Sequence, residues 1–292
     1  MDILFKNKKT IILGLLPALL IFIVFVILPI IRSFFYGFYS WNGLSDPQYI
    51  GLKNFKEILT DRIFWHSFKN NIIVVIASVF GQIPLGLIIA IILNKKLKSS
   101  SFFRTVFFMP MILSTVVVGL LWSTILNSQV GILNGVLNKI GLDQIAMDWL
   151  GDPNIAIYTI CFVIVWQFFG LYMIIFLAAL QNIPSEIFEA ANVDGANEWC
   201  KLVNITVPMI WDSIMAAVVL CIAGSMRTFD LVFVMTKGGP AHATELMATY
   251  MYNKTFEVYK YGYGSAVSLV IFIISFSFII ISRKLMSQSE TV

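Results

Sequence analysis

A short polar stretch, Glu189-Ala190-Ala191-Asn192-Val193-Asp194-Gly195, followed by Ile205-Thr206-Val207-Pro208, interrupts a chain that is otherwise mostly apolar. It combines helix formers and carboxylates with a Gly and a later Pro. Residues of that kind suit docking to something outside the hydrocarbon, a mechanical rather than a bond-making chemistry. Bond-making constellations are not found. Cys161, Cys200 and Cys221 show no CxxC spacing, so neither a zinc site nor a disulfide framework is suggested. His66 and His242 stand far apart and no HExxH occurs. The sequence therefore offers no catalytic and no metal-ligating set. An intramembrane protease or acyltransferase would need a nucleophile and a base at mid-membrane depth. Both histidines fall outside the apolar runs, and no Ser–His or paired-Asp arrangement lies within them.

A second group of chemistry-bearing residues lies inside the apolar runs. Polar groups there are costly unless they face protein or water, which makes them functional candidates. One run offers Trp166, Gln167, Gly170 and Tyr172. Another offers Cys221, Gly224, Ser225 and Thr228, on one helical face at spacings of three and four. A third offers Ser114 and Thr115 beyond Pro110. An aromatic plate beside hydroxyls and amides suits a neutral sugar. The competing role is structural: Ser and Thr in spans often bond their own helix, and Trp often sits at interfaces. Arg227 and Asp230, at the outer end of their run, read as a gate-side or structural pair, and Gln82 as a helix-packing or kink feature.

The elements that must position these residues are membrane helices. The chain is 59% hydrophobic and 12% charged, with a net charge of +4; a soluble domain carries about 25% charge. The small positive excess reads as loop bias, not nucleic-acid affinity. Six runs are long enough to span a bilayer: roughly 11–31, 70–93, 105–126, 154–180, 207–230 and 263–282. Each is expected to be a helix, because hydrocarbon offers the backbone no other partner. The first follows Lys6, Lys8 and Lys9, lacks a cleavage site before Arg32, and reads as an uncleaved anchor with Pro17 and Pro29 near its ends. Placing the N-terminus inside puts about ten basic residues in about 57 inner positions, against about nine in about 99 outer ones. Lys95, Lys96, Lys98 and Arg104, with Arg283 and Lys284, carry that assignment, and both termini are then cytoplasmic. The expected organisation is an anchor helix and first outer loop over 1–69, a core over 70–282 with the loop 181–206, and a tail over 283–292.

Within the loop, Pro184-Ser185-Glu186 predicts a helix start with a hydroxyl cap. Gly195 predicts its end through a left-handed cap. A second short helix is expected over Ala196–Val203, and Pro208 fits the first turn of the fifth span.

The order Glu189-Ala190-Ala191, three residues, Gly195, nine residues, Ile205, one residue, Val207-Pro208 resembles the loop signature of permease subunits of binding-protein-dependent ATP-binding-cassette (ABC) importers. That family usually has Leu before the Pro; here it is Val207. The likeness extends through Leu16-Pro17, Pro29, Gly51-Leu52-Lys53-Asn54-Phe55, Trp166 to Met173, Ala178 to Gln181, Arg227 to Asp230 and Thr236 to Pro240, nearly the whole chain. It is closest in character to carbohydrate permeases of the maltose/oligosaccharide class, and to the first rather than the second maltose subunit. The resemblance implies an all-α membrane protein with the six-helix type I importer fold and a cytoplasmic coupling helix. It implies a second homologous permease subunit, two ATPase subunits below, an extracellular solute-binding protein above, and alternating access for a sugar in the plasma membrane of a bacterium or archaeon. Glu189, Ala190, Ala191, Asp194 and Gly195 would then meet the ATPase. Ser114, Thr115, Trp166, Gln167, Gly170, Tyr172, Ser225 and Thr228 would line the substrate pathway, and Gly238, Gly239 and Pro240 would face the binding protein. ATP and Mg would sit on the partner ATPase, since no GxxxxGK[ST] phosphate loop occurs here. The same scaffold importing a glycerol phosphodiester, a polyol or a glycosylated amino acid is the alternative.

Overall fold

A computed structural model describes residues 8–95 and 99–287. Lys6, Lys96, Lys98 and the tail residues 288–292, used above to orient the chain, lie outside the described residues. Two compact units are interleaved in sequence: one runs to Asp61 and takes in Met251–Ile273, the other comprises Arg62–Tyr250 and the chain from Ile274.

In the first unit, α1 (Lys8–Phe22) passes through a π-turn (Ile23–Ile27) into α2 (Leu28–Tyr36). The Leu28 N–H reaches the Ile23 carbonyl, an i→i+5 bond just ahead of Pro29, which has no N–H to give. The apolar span is Gly14–Tyr36, longer than the 11–31 expected, so Pro29 lies inside it rather than at its end. Short strands β1 (Tyr39–Ser40) and β2 (Gln48–Tyr49) pair antiparallel. Their turn is closed by Asn42, whose Oδ1 accepts the backbone N–H groups of Leu44 and Ser45 at 3.0 and 2.9 Å. Helix α3 (Lys53–Thr60) is fastened by buried Asn54, which donates to the carbonyls of Gly37 and Tyr39 at 2.9 and 3.0 Å.

The second unit begins with α4 (Arg62–Asn94), followed by α5 (Ser100–Ile112), α6 (Thr115–Ile125), α7 (Ile132–Lys139) and α8 (Ala156–Gln181). Then come α9 (Ser185–Val193), α10 (Glu198–Met209, with a π-turn at Leu202–Thr206), α11 (Trp211–Met226) and α12 (Asp230–Met235). Helix α13 (Met247–Tyr252) and the closing α14 (Tyr261–Ser287) each run from one unit into the other. Among the described residues, four helices can cross a membrane alone, and two bent pairs pass the same test as units.

Those pairs correct two expectations. The run 105–126 is not one helix: α5 and α6 meet at 95°, because Leu113 and Ser114 are extended (ψ 144° and 131°). The run 207–230 is not one either. Helices α10 and α11 meet at 68° around Ile210, so Pro208 precedes the bend instead of opening the span. Helix α11 then stops at Met226, leaving Thr228 in the connection to α12.

Lipid tails are as apolar as the helices, so close packing at small residues decides which helices touch. At Gly81 of α4 the Val165 side chain of α8 fills the space a Cβ would need, and at Gly86 the Tyr172–Met173 backbone does so. At Gly170 of α8 the Phe107 carbonyl of α5 does the same. Two apolar clusters result, one around Val74, Ile160 and Val163, the other around Ala90, Met173 and Phe176. Helix α8 is the axis of the unit, 61% buried over its apolar window.

Candidate functional site

A cavity of about 300 Å³ opens where α4, α5, α6, α8, α11 and α12 converge. The break between α5 and α6 makes room for it: Met111 and Thr115, on either side of the bend, both face the space. Gln82 ties three walls together. Its Nε2 donates to the Ile164 carbonyl of α8 at 3.3 Å, and its Oε1 accepts from the Cys221 thiol of α11 at 3.6 Å. Cys221, Gly224, Ser225 and Thr228 all line the cavity, as their spacing predicts. Phe168 and Phe229 supply the aromatic faces.

Of the eight residues expected on a substrate pathway, Thr115, Tyr172, Ser225 and Thr228 reach this wall. The other four do not. Gly170 is consumed by the helix crossing at Phe107. Trp166 packs edge-to-face on Trp122, with ring centroids 5.3 Å apart. Ser114 is exposed at the head of α6, where its carbonyl accepts the Val118 N–H at 3.0 Å. Gln167 is 1% exposed, and neither of its side-chain polar atoms has a partner among the described residues. The structural alternative is realised at Thr228, whose hydroxyl donates to the Gly224 carbonyl at 3.4 Å.

Arg227 and Asp230, which the sequence reads as a gate-side or structural pair in preference to a substrate site, also line the cavity. They do not form an ion pair among the described residues; Arg227 Nε donates instead to the Ala223 carbonyl at 3.3 Å. The available signal was their position, on either side of Thr228, the last polar residue of the stripe.

The polar loop forms the second part of the site. Helix α9 starts at Ser185 as expected, but Pro184 occupies the cap position and no side chain caps it. Its far end follows the expectation. Gly195 has φ +76°. The Ala196 N–H reaches the Ala191 carbonyl at 2.9 Å and the Gly195 N–H the Asn192 carbonyl at 3.1 Å, the paired bonds of a Schellman motif. Helix α10 begins at Glu198, not Ala196, because Asn197 caps it: Oδ1 accepts the Cys200 N–H at 2.7 Å. It also runs past Val203 to Met209. Glu189, Ala190, Asp194 and Gly195 are exposed and Ala191 is buried. Val193 and Trp199 are 89% and 72% exposed, so the loop presents apolar as well as acidic side chains. Lys201 bonds both Asn192 and Glu198, and Lys95 at the end of α4 lies 3.7 Å from Glu198.

The 231–263 segment is ordered by hydrogen bonds. Thr244 donates to the Gly239 carbonyl at 2.6 Å, while Asn70 of α4 donates to the carbonyls of Ala243 and Glu245 at 3.0 Å. Gly238 (φ +85°) is buried and Gly239 and Pro240 are half-buried, so the turn they form presents Lys237, Ala241 and His242 outward.

A helical membrane unit with a polar-walled cavity at one level and a capped, exposed helix pair at another has the layout of a permease. Residues 82–287 match the family described as the binding-protein-dependent transport system inner membrane component. The chain belongs to that family; it is a transport component, not an enzyme. It is 37% identical over 96% of its length, and 96% of the relative's, to the probable ABC transporter permease protein YurN of Bacillus subtilis. It is 31% identical, over 96% and 94% of the two chains, to the trehalose/maltose transport system permease protein MalF of Thermococcus litoralis. Its fold is that of a chain in the crystal structure of a bacterial alginate ABC transporter bound to an alginate-loaded periplasmic protein, with a TM-score of 0.87, 22% identity, and coverage of 98% and 97%.

Proposed function

We propose that this chain forms one half of an ATP-driven import pathway for a sugar or oligosaccharide. The observation that carries it is the bent pair α10–α11. Glu198 and Trp199 of the exposed loop and Cys221 and Ser225 of the cavity wall belong to one helical element with a single 68° bend. A push on the loop therefore moves the wall. In this reading Glu189, Ala190, Ala191, Asp194 and Gly195 take that push from an ATPase subunit that binds ATP and Mg, and a second permease subunit closes the other half of the pathway. The loop and both termini are cytoplasmic. A solute-binding protein docks outside, on the turn held by Gly238, Gly239 and Pro240. Tyr172, Thr115, Ser225 and Thr228 give hydroxyl partners, and Phe168 and Phe229 apolar faces, to a polyhydroxylated ring. The relative named for trehalose/maltose transport supports the substrate class.

Arg227 on the cavity wall favours a second reading, an acidic saccharide or a phosphodiester, although Asp230 beside it offsets the charge. Uptake by the full transporter, reconstituted in proteoliposomes with the ATPase, second permease and binding protein encoded beside it, separates the readings. Labelled maltooligosaccharides should be taken up in preference to a glycerol phosphodiester. Ser225→Ala should raise the uptake KM, and Glu189→Lys should cut both uptake and binding-protein-stimulated ATP hydrolysis by about tenfold or more. Stimulated hydrolysis that is indifferent to Glu189→Lys would remove the coupling role.

A further inference from the structure

We propose that a groove between α2 and the first turns of α14, at the end of the N-terminal span remote from the N-terminus, holds one anionic phospholipid by its phosphate. The groove has a volume of about 620 Å³ and is stratified along the span. The part of its lining nearest the middle of the span is Val24, Leu28 and Pro29, all exposed and apolar. One to two turns further along, Arg32, Ser33 and Ser265 line it. Beyond them, at and past the end of the span, Tyr36, Trp41 and Tyr261 line it. Tyr36 and Trp41 stack with ring centroids 4.5 Å apart, and Trp41 meets Tyr261 at 5.7 Å. From Val24 to Tyr36 a helix rises about 18 Å, a span that takes in a headgroup and the upper acyl chain.

This order matches the polarity gradient of one leaflet. Aromatic rings favour the membrane–water interface, and aliphatic side chains face the acyl region. Arg32 stands between them, four residues inside the end of a span. A cation at that depth is costly unless an anion or water meets it. Among the described residues Arg32 has no ion pair or hydrogen bond, the Ser33 and Ser265 hydroxyls have no partner, and no carboxylate lines the groove. A planar guanidinium flanked by two free hydroxyls fits a phosphate oxygen pair. Charge complementarity in a lipid solvent selects a phospholipid as the occupant over a neighbouring apolar helix, which would bury Arg32 without an anion.

The test uses the assembled transporter in detergent with a photoreactive phosphatidylglycerol, and maps adducts to peptides covering 24–41 and 261–265. Unlabelled phosphatidylglycerol should compete about tenfold better than diacylglycerol, a charge-assisted bond's worth of affinity. Inorganic phosphate should not compete. Arg32→Gln should abolish the tenfold preference and Arg32→Lys should keep part of it; if Arg32→Gln does not assemble, Arg32→Lys and the competition series decide. Equal competition by diacylglycerol, displacement by phosphate alone, undiminished labelling of Arg32→Gln, or a wild-type groove that never labels because another polypeptide covers it would each overturn the proposal.

Discussion

The loop element α9–α10 and the membrane cavity are parts of the same unit, yet they are built in opposite ways. The loop is specified locally. Gly195 supplies a left-handed residue, Asn197 a cap, and each bond that shapes the two helix ends closes within six residues. The cavity is specified by contacts distant in sequence. Gln82 reaches Ile164 and Cys221, and the wall exists because α5 breaks and packs on Gly170. A local device tolerates change around it; a space walled by six helices depends on every crossing.

Substitutions can break that contrast, and the largest effect belongs to the crossing. Gly170→Leu drives a side chain into the Phe107 backbone, which cannot move aside. It should cost at least about 1–3 kcal/mol, seen as a large drop in melting temperature by size-exclusion assay. Gly224→Ala, on the open cavity wall with nothing near its Cβ, should leave that temperature unchanged; if the two variants melt alike, the packing account is wrong. Gly195→Val comes next. A left-handed non-glycine residue costs about 1–2 kcal/mol, so hydrogen exchange should quicken across 185–209 but not across 156–181. Exchange spreading into α8 would show that the loop is not a local device. Asn197→Ala should cost about 1 kcal/mol, read as faster exchange at the Cys200 amide with α9 unaffected. The smallest effect is expected from Glu198→Gln. Its carboxylate is exposed, so losing the bridges to Lys95 and Lys201 should barely shift the melting temperature, and 0.5 M salt should erase any shift.

The same contrast explains what could be read in advance. Membrane residence, the approximate spans, the Gly195 terminus and the family all follow from composition, apolar run length and short motifs. The wall residues Ser225, Cys221 and Thr228 were legible as a stripe. Trp166, Gln167 and Gly170 do not reach the cavity wall, because a helix periodicity says which residues share a face, not what that face meets. The bends at Leu113–Ser114 and Ile210 were hidden inside uninterrupted apolar runs. Pro110 followed by Ser114-Thr115, and Pro208 followed by Trp211-Asp212, were the faint signals available.

By itself the amino-acid order determined the solvent, since hydrocarbon forces long apolar segments into helices, and it determined the loop, whose backbone bonds close between near neighbours. Only the tertiary structure decided where the helices bend, which polar side chains share a cavity, and that Arg227 joins them. Those outcomes depend on which small residues admit a neighbouring helix, and on side-chain bonds such as that of Cys221 to Gln82, 139 residues apart along the chain.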